Sequence, residues 1–343
     1  MVVGSVPLDN AGQVFRAIGT AFGDRIHAIP DGETGPRLNW IEWQAPIFDA
    51  HPMFQSGESL PDWRNKNATA KWRASPWCSL RPGADPAQLR FGPLGYAKTA
   101  VESFVVFKRC AAEGAIHPSC KFQIAIPTPY NVVDQRIAPA DRLAVEAPYE
   151  ARMMEEIAEI CAALPHDRIA IQWDVAHEVQ NLDGGRPHWF ADPENQIIER
   201  LVRIGSRVPA DVDLGFHLCY GDFAHRHFIE PKDTGLMVRL SNALAQKLKR
   251  PIAWIHMPVP RGRTDDAYFA PLSGLRLAPE TRLFLGLVHF TDGVDGARDR
   301  VKAAKKVVPN FGVATECGFG RRDPKTIPDL LRLHVEVANL LIP

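Results

Sequence analysis

The chain has 343 residues, 45% hydrophobic and 23% charged, enough to bury a large core as one α/β barrel or as two domains. Its 40 basic and 40 acidic side chains cancel to a formal net charge of zero, so no global field draws it to nucleic acid or anionic lipid, and a small-molecule partner is expected. No apolar run approaches the about 20 residues that span a bilayer. The first residues lack the basic and apolar regions of a signal peptide, and six cysteines without dense spacing suit a reducing compartment, so a cytoplasmic protein is expected.

Strand-like apolar runs alternate with helical periodicity along most of the chain. Residues 1–3 are a candidate strand leading into Gly4-Ser5-Val6-Pro7, and residues 11–22 have helical spacing with Asp9 or Asn10 as cap. Residues 25–29 read as a second strand, which ends in the loop Pro30-Asp31-Gly32-Glu33-Thr34-Gly35-Pro36-Arg37. An aromatic helix start follows at Asn39-Trp40-Ile41-Glu42-Trp43. Residues 51–92, with Trp63, Trp72 and Trp77 among prolines and glycines, form a long aromatic-rich insertion expected to act as a mobile lid or to pack as a rigid flap.

From residue 94 the alternation resumes. Helices are predicted over 94–113, 141–164, 195–208, 235–249, 297–307 and 325–341, and strands over 122–126, 168–174, 212–217, 252–256, 283–288 and 311–314. With the two N-terminal runs that makes eight strands, most ending in polar or reactive residues. Continuous apolar runs are what strands buried on both faces require. The predicted architecture is a single (β/α)8 TIM barrel over residues 1–343, with its active site at the carboxyl ends of the strands. A doubly wound sheet is the competitor, but no Gly-x-Gly-x-x-Gly follows the first strand.

The most informative stretch is Phe216-His217-Leu218-Cys219-Tyr220. Side chains two apart on a strand point the same way, so His217 and Cys219 can grip one zinc ion, with Cys317 in Glu316-Cys317-Gly318 as a third donor. The competing reading is a buried thiol beside a satisfied histidine.

Taken together, the motifs resemble the catalytic C-terminal barrel of cobalamin-independent methionine synthase, whose fold superfamily includes uroporphyrinogen decarboxylase. Val3-Gly4-Ser5-Val6-Pro7 is similar to that family's opening Ile-Gly-Ser-Phe-Pro, and Asp31-Gly32-Glu33 with Arg37 to its Gly-Glu loop followed by Arg. Gln172-Trp173-Asp174 is similar to its Gln-x-Asp strand end, His217-Leu218-Cys219-Tyr220 to its zinc-binding His-Met-Cys-Tyr, and Glu316-Cys317-Gly318 to its Asp-Cys-Gly.

The resemblance implies one zinc per chain and thiol alkyl transfer, in which a substrate thiol becomes a zinc thiolate and attacks a methyl or other alkyl donor, a folate among the candidates. It implies substrate contacts from Ser5, Glu33, Arg37 and Asp174. It also implies a general acid at His289, with Asp292 beside it. Where the family has a glutamate ligand this chain has His256, so either His256 supplies a nitrogen ligand or the metal is lost. Downstream of Asp174 the chain reads Val175-Ala176-His177-Glu178 where the family has Glu-Pro-Ala. Rim residues Arg261, Arg263, Arg321 and Arg322 are candidate clamps for an acidic substrate, and Trp40, Trp43, Trp63, Trp72 and Trp77 candidate walls for a flat ring or else core. The alternatives are a metal-free decarboxylase or lyase, with Asp31, Arg37 and the rim arginines holding a carboxylated substrate, and a non-catalytic small-molecule binder.

Overall fold

The computed structural model describes residues 1–57, 76–221 and 230–342. In chain order the elements are α1 (Ala11–Phe22), β1 (Ala28–Pro30), α2 (Ala45–Asp49), β2 (Phe54–Ser56), β3 (Cys78–Leu80), α3 (Tyr96–Ala112), β4 (Lys121–Pro127), α4 (Pro129–Arg136), α5 (Arg142–Ala163), β5 (Ile169–Val175), α6 (His177–Leu182), α7 (Pro193–Gly205), β6 (Asp213–Leu218), α8 (Gly235–Lys247), β7 (Trp254–Pro258), α9 (Asp266–Phe269), β8 (Arg282–Val288), α10 (Gly293–Lys305), β9 (Gly312–Thr315) and α11 (Ile327–Asn339). Local chemistry sets many of the boundaries. Asn10 accepts the Gln13 N–H at 3.0 Å to start α1, which buries Val14, Phe15, Ile18 and Phe22 at three- and four-residue spacing. Thr128 caps α4, with Pro129 at its first turn, where a missing N–H costs nothing.

Seven strands form one curled, all-parallel sheet in the order β1-β4-β5-β6-β7-β8-β9. All seven residues of β5 are buried, as expected for a central strand covered on both faces. Outside the sheet, α1 packs against both α3 and α11, so the helical layer continues across the gap between the edge strands β1 and β9.

That gap is where the structure corrects the eight-strand expectation. Residues 1–3 form no strand. The segment lies between the two sheet edges through isolated bonds: the Met1 amine donates to the Val313 carbonyl at 2.8 Å, the Val6 N–H to Gly32 at 2.8 Å, and the Phe319 N–H to the Ser5 carbonyl at 2.6 Å. Inward-facing amides take the place of a ladder partner. Gln123 of β4 donates to the Val3 carbonyl at 2.6 Å and Gln172 of β5 to the same oxygen at 2.8 Å. Beneath this layer Trp254 crosses the interior, its indole N–H 3.2 Å from Gln172 Oε1, and lies so close over Gly215 that a Cβ there would sit 1.9 Å from the ring.

Of the expected insertion, the described foot is an antiparallel pair, β2 with β3, continued by the Gly57 N–H on the Trp77 carbonyl at 2.6 Å. Trp63, Trp72 and the lid or flap expected between them lie outside the described residues. No helix of the described residues is long and apolar enough to cross a membrane.

Candidate functional site

Parallel register places side chains of adjacent strands side by side. Asp174 of β5 pairs with His217 of β6, and His217 with His256 of β7, so these three make one row across the inner face, one layer above Gln172, Gly215 and Trp254. Two residues past His217 the chain leaves the strand at Cys219, and two residues past the end of β9 it reaches Cys317. The Cys219 and Cys317 sulfurs are 4.0 Å apart, and with a His217 nitrogen they form a group whose ligand atoms all lie within 4.8 Å of one another. Two thiolates about 2.3 Å from a tetrahedral zinc stand about 3.8 Å apart, so the observed spacing fits that ion. His217 and Cys219 are buried and Cys317 is half-buried.

His256, expected either to supply a nitrogen ligand or to mark loss of the metal, lies beside His217. His256, fully buried, has Nε2 at 3.0 Å from the Thr315 carbonyl and Nδ1 at 2.6 Å from His217 Nδ1, so both of its nitrogens are engaged within the protein.

Three of these acidic groups compete for space. Hydrogen bonding with Cys219 and His217, with Arg321 nearby, holds the Cys317 thiol well below its ordinary range against the opposing effect of burial. Glu33 is driven well above the usual carboxylate range by burial and by Asp174, with Arg37 opposing. Asp174 is driven up by burial and by the Cys317 charge, although Gln172 and Trp40 hydrogen-bond its carboxylate. Two buried carboxyls beside a thiol pair make a cluster that gains from a cation, whether metal or ammonium.

Backbone geometry serves this cluster. Glu33 has a positive φ of 49°, rare for a residue with a Cβ, and a Cβ on Gly4 would come within 2.4 Å of its carboxylate. Trp40, at φ 53° and ψ −111°, breaks the run of 3₁₀ turns Gly35–Gln44 and sends its side chain to Asp174. Such backbone strain persists only where the surroundings hold it. Ser5 Oγ accepts the Gly320 N–H at 3.2 Å, which puts Ser5 beside the loop that follows Cys317.

Other expected residues have structural partners. Arg37 is bound to Asp31 at 2.6 Å rather than to Glu33, and Asp31 is held in turn by Ser103 Oγ at 2.6 Å and the Glu33 N–H at 2.9 Å. His289 donates from Nε2 to the Val259 carbonyl at 2.8 Å and presents Nδ1 to Glu316 at 3.4 Å. Both carboxylate oxygens of Asp292 take bonds from the fully buried Arg300, at 2.6 and 2.9 Å, so Asp292 anchors α10. Of the rim arginines, Arg261 binds Thr291, Arg263 binds Asp265, and Arg322 lies over Phe290. The Trp40 bond to Asp174 and the Thr315 bond to His256 had no sequence signal, because each joins segments remote in the chain.

A curled parallel sheet with thiol, imidazole and carboxyl groups gathered at its carboxyl ends has the architecture of barrel-type α/β proteins. No family model matches the chain, and no curated protein does. Among solved structures the fold is that of vitamin-B12-independent methionine synthase structures. A methionine synthase-like protein of Listeria monocytogenes superposes with a TM-score of 0.56 at 14% identity, over 96% of this chain and 86% of that one. A B12-independent methionine synthase from a Shewanella species, solved in complex with selenomethionine, gives 0.57 at 13% identity over 96% and 86%. A methyltransferase from Methanosarcina mazei gives 0.55 at 12% identity over 96% and 84%.

Proposed function

We propose that the protein is a zinc-dependent alkyl transferase that moves a methyl or similar group to the sulfur of an amino-acid thiol, and that its architecture is a (β/α)8 barrel in which residues 1–6 fill the eighth position. The observation that carries the reading is the His217, Cys219 and Cys317 cluster, with sulfurs 4.0 Å apart, beside the buried carboxyls of Glu33 and Asp174. The folds of the methionine synthase-like proteins and of the methyltransferase support it. The Shewanella structure, solved with a selenium analogue of a thioether amino acid, points to the same substrate class.

In this reading His217, Cys219 and Cys317 would hold the ion. A zinc ion held there would lower the pKa of a substrate thiol and so make the thiolate available at neutral pH. The protein's own groups do the rest. Glu33 and Asp174 receive the substrate ammonium, whose positive charge offsets the burial and mutual repulsion that push both carboxyls above their usual range. Trp40 and Gln172 hold the Asp174 carboxylate in place. Ser5 and the adjoining 318–320 loop meet the substrate carboxylate. His289 Nε2 is held by the Val259 carbonyl, so its Nδ1, which faces Glu316, is the nitrogen that would pass a proton to the group departing from the alkyl carbon, with substrate taking the place of Glu316.

The alkyl donor, a folate or another small molecule, enters from the open end of the strands. Purification without chelator or affinity-tag metal, followed by metal analysis and by methyl-transfer assays on a panel of amino-acid thiols, tests the proposal. About one zinc per chain and turnover of an amino-thiol are expected, and protein that neither carries nor takes up zinc refutes it.

A further inference from the structure

His256 occupies the row position next to His217, and three observations fix how the two rings share protons. Their Nδ1 atoms are 2.6 Å apart, His256 Nε2 is 3.0 Å from the Thr315 carbonyl, and His256 has no exposed surface. A carbonyl oxygen only accepts, so His256 Nε2 carries a hydrogen. Neither nitrogen of this buried ring meets a carboxylate, and the neutral ring has that one hydrogen and no other. Its Nδ1 is therefore a lone pair, and the proton between the rings belongs to His217 Nδ1.

We infer that His256 is a positioning residue rather than a metal ligand: it accepts the Nδ1 hydrogen of His217, which fixes that ring and leaves its Nε2 lone pair for the metal. A metal-binding histidine commonly donates its second ring nitrogen to an acceptor that sets tautomer and orientation. Here the acceptor is a second imidazole, anchored by β9. The residue that anchors it, Thr315, also donates its hydroxyl to the Cys317 carbonyl at 2.7 Å, so one residue braces the histidine and cysteine sides of the centre together. The protein then supplies three ligands and leaves a position for substrate.

This inference rests on the zinc reading, and the test separates the two. X-ray absorption at the zinc edge of the loaded wild-type protein counts ligands without a mutation: one imidazole and two sulfurs from the protein are expected. Two imidazoles would overturn the positioning role and leave the metal reading standing, whereas failure of the wild type to bind zinc would overturn both. Competition titrations on variants supply the second readout. His256→Ala is expected to weaken zinc about 10- to 100-fold. His256→Gln, whose amide oxygen accepts from His217 and whose NH₂ donates to Thr315, is expected to restore most of that loss. Equal weakening in both variants would show that the ring itself binds the metal.

Discussion

Replacing Glu178 with glutamine isolates one buried charge that opposes folding as the pH rises. Glu178 is fully buried, takes a hydrogen bond from Thr128 on one oxygen, and has no hydrogen-bond partner for Oε2 among the described residues. Burial, partly offset by the Thr128 bond, raises its pKa from 4.5 to about 8. Between those values the folded chain binds the proton more tightly than the unfolded chain. Stability from this group is therefore full at low pH and is lost as the pH climbs toward and through about 8.

At about 1.4 kcal/mol per pKa unit, the loss between about pH 5 and about pH 9 is about 4 kcal/mol. With an unfolding entropy of about 2.1 cal/mol/K per residue over 343 residues, that is a fall in Tm of about 6 °C. Glutamine cannot ionise. It leaves a buried amide short of partners, a constant cost of about 1–3 kcal/mol, so the variant starts below wild type at low pH and lacks the further fall of wild type as the pH rises. Melting curves of metal-free wild type and Glu178→Gln across that range check this. Glu33 and Asp174 tilt both proteins in the same direction and cancel in the difference. Parallel Tm profiles for the two proteins would refute the assignment.

Zinc binding should fall by orders of magnitude in Cys219→Ser and Cys317→Ser with the circular dichroism spectrum retained, as measured by metal analysis after dialysis; wild-type stoichiometry in either would remove that sulfur from the centre. Glu33→Gln and Asp174→Asn should raise KM for an amino-thiol or abolish turnover while keeping zinc, and unchanged kinetics in both would show that the acceptor has no ammonium. Asp292→Ala strands the buried Arg300 guanidinium, at a cost of about 3 kcal/mol in denaturant unfolding; an unaltered midpoint would mean that the pair contributes nothing.

The strands and long helices were legible in the sequence because their signals are local. The runs that became β4, β5 and β8 are mostly apolar, and α1, α5 and α11 repeat apolar residues at helical spacing, so each segment carries its own evidence of what it buries. Residues 1–3 looked like the same kind of run, yet the Val3 carbonyl is taken by side chains from residues 123 and 172, a substitution for a ladder that no local pattern encodes. The short helices α4 and α6 went unread for a related reason. Pro127-Thr128-Pro129 reads as a turn, and only the Thr128 bond to Asn131 reveals it as a helix start.

At the site, side-chain chemistry and motif resemblance named His217, Cys219, Cys317, Glu33 and Asp174, and strand order was enough to expect them at one end of the fold. Which of them touch was decided in three dimensions. The Cys219–Cys317 contact, the Trp40 bond to Asp174, the claim of Asp31 on Arg37, the Arg300 grip on Asp292 and the joining of His256 to His217 depend on register between strands and on loops that meet above them. Residue type limits what a histidine can do. Its role is set by the partner each ring nitrogen meets, and those partners are brought by segments tens to hundreds of residues away, through packing that has no period in the chain.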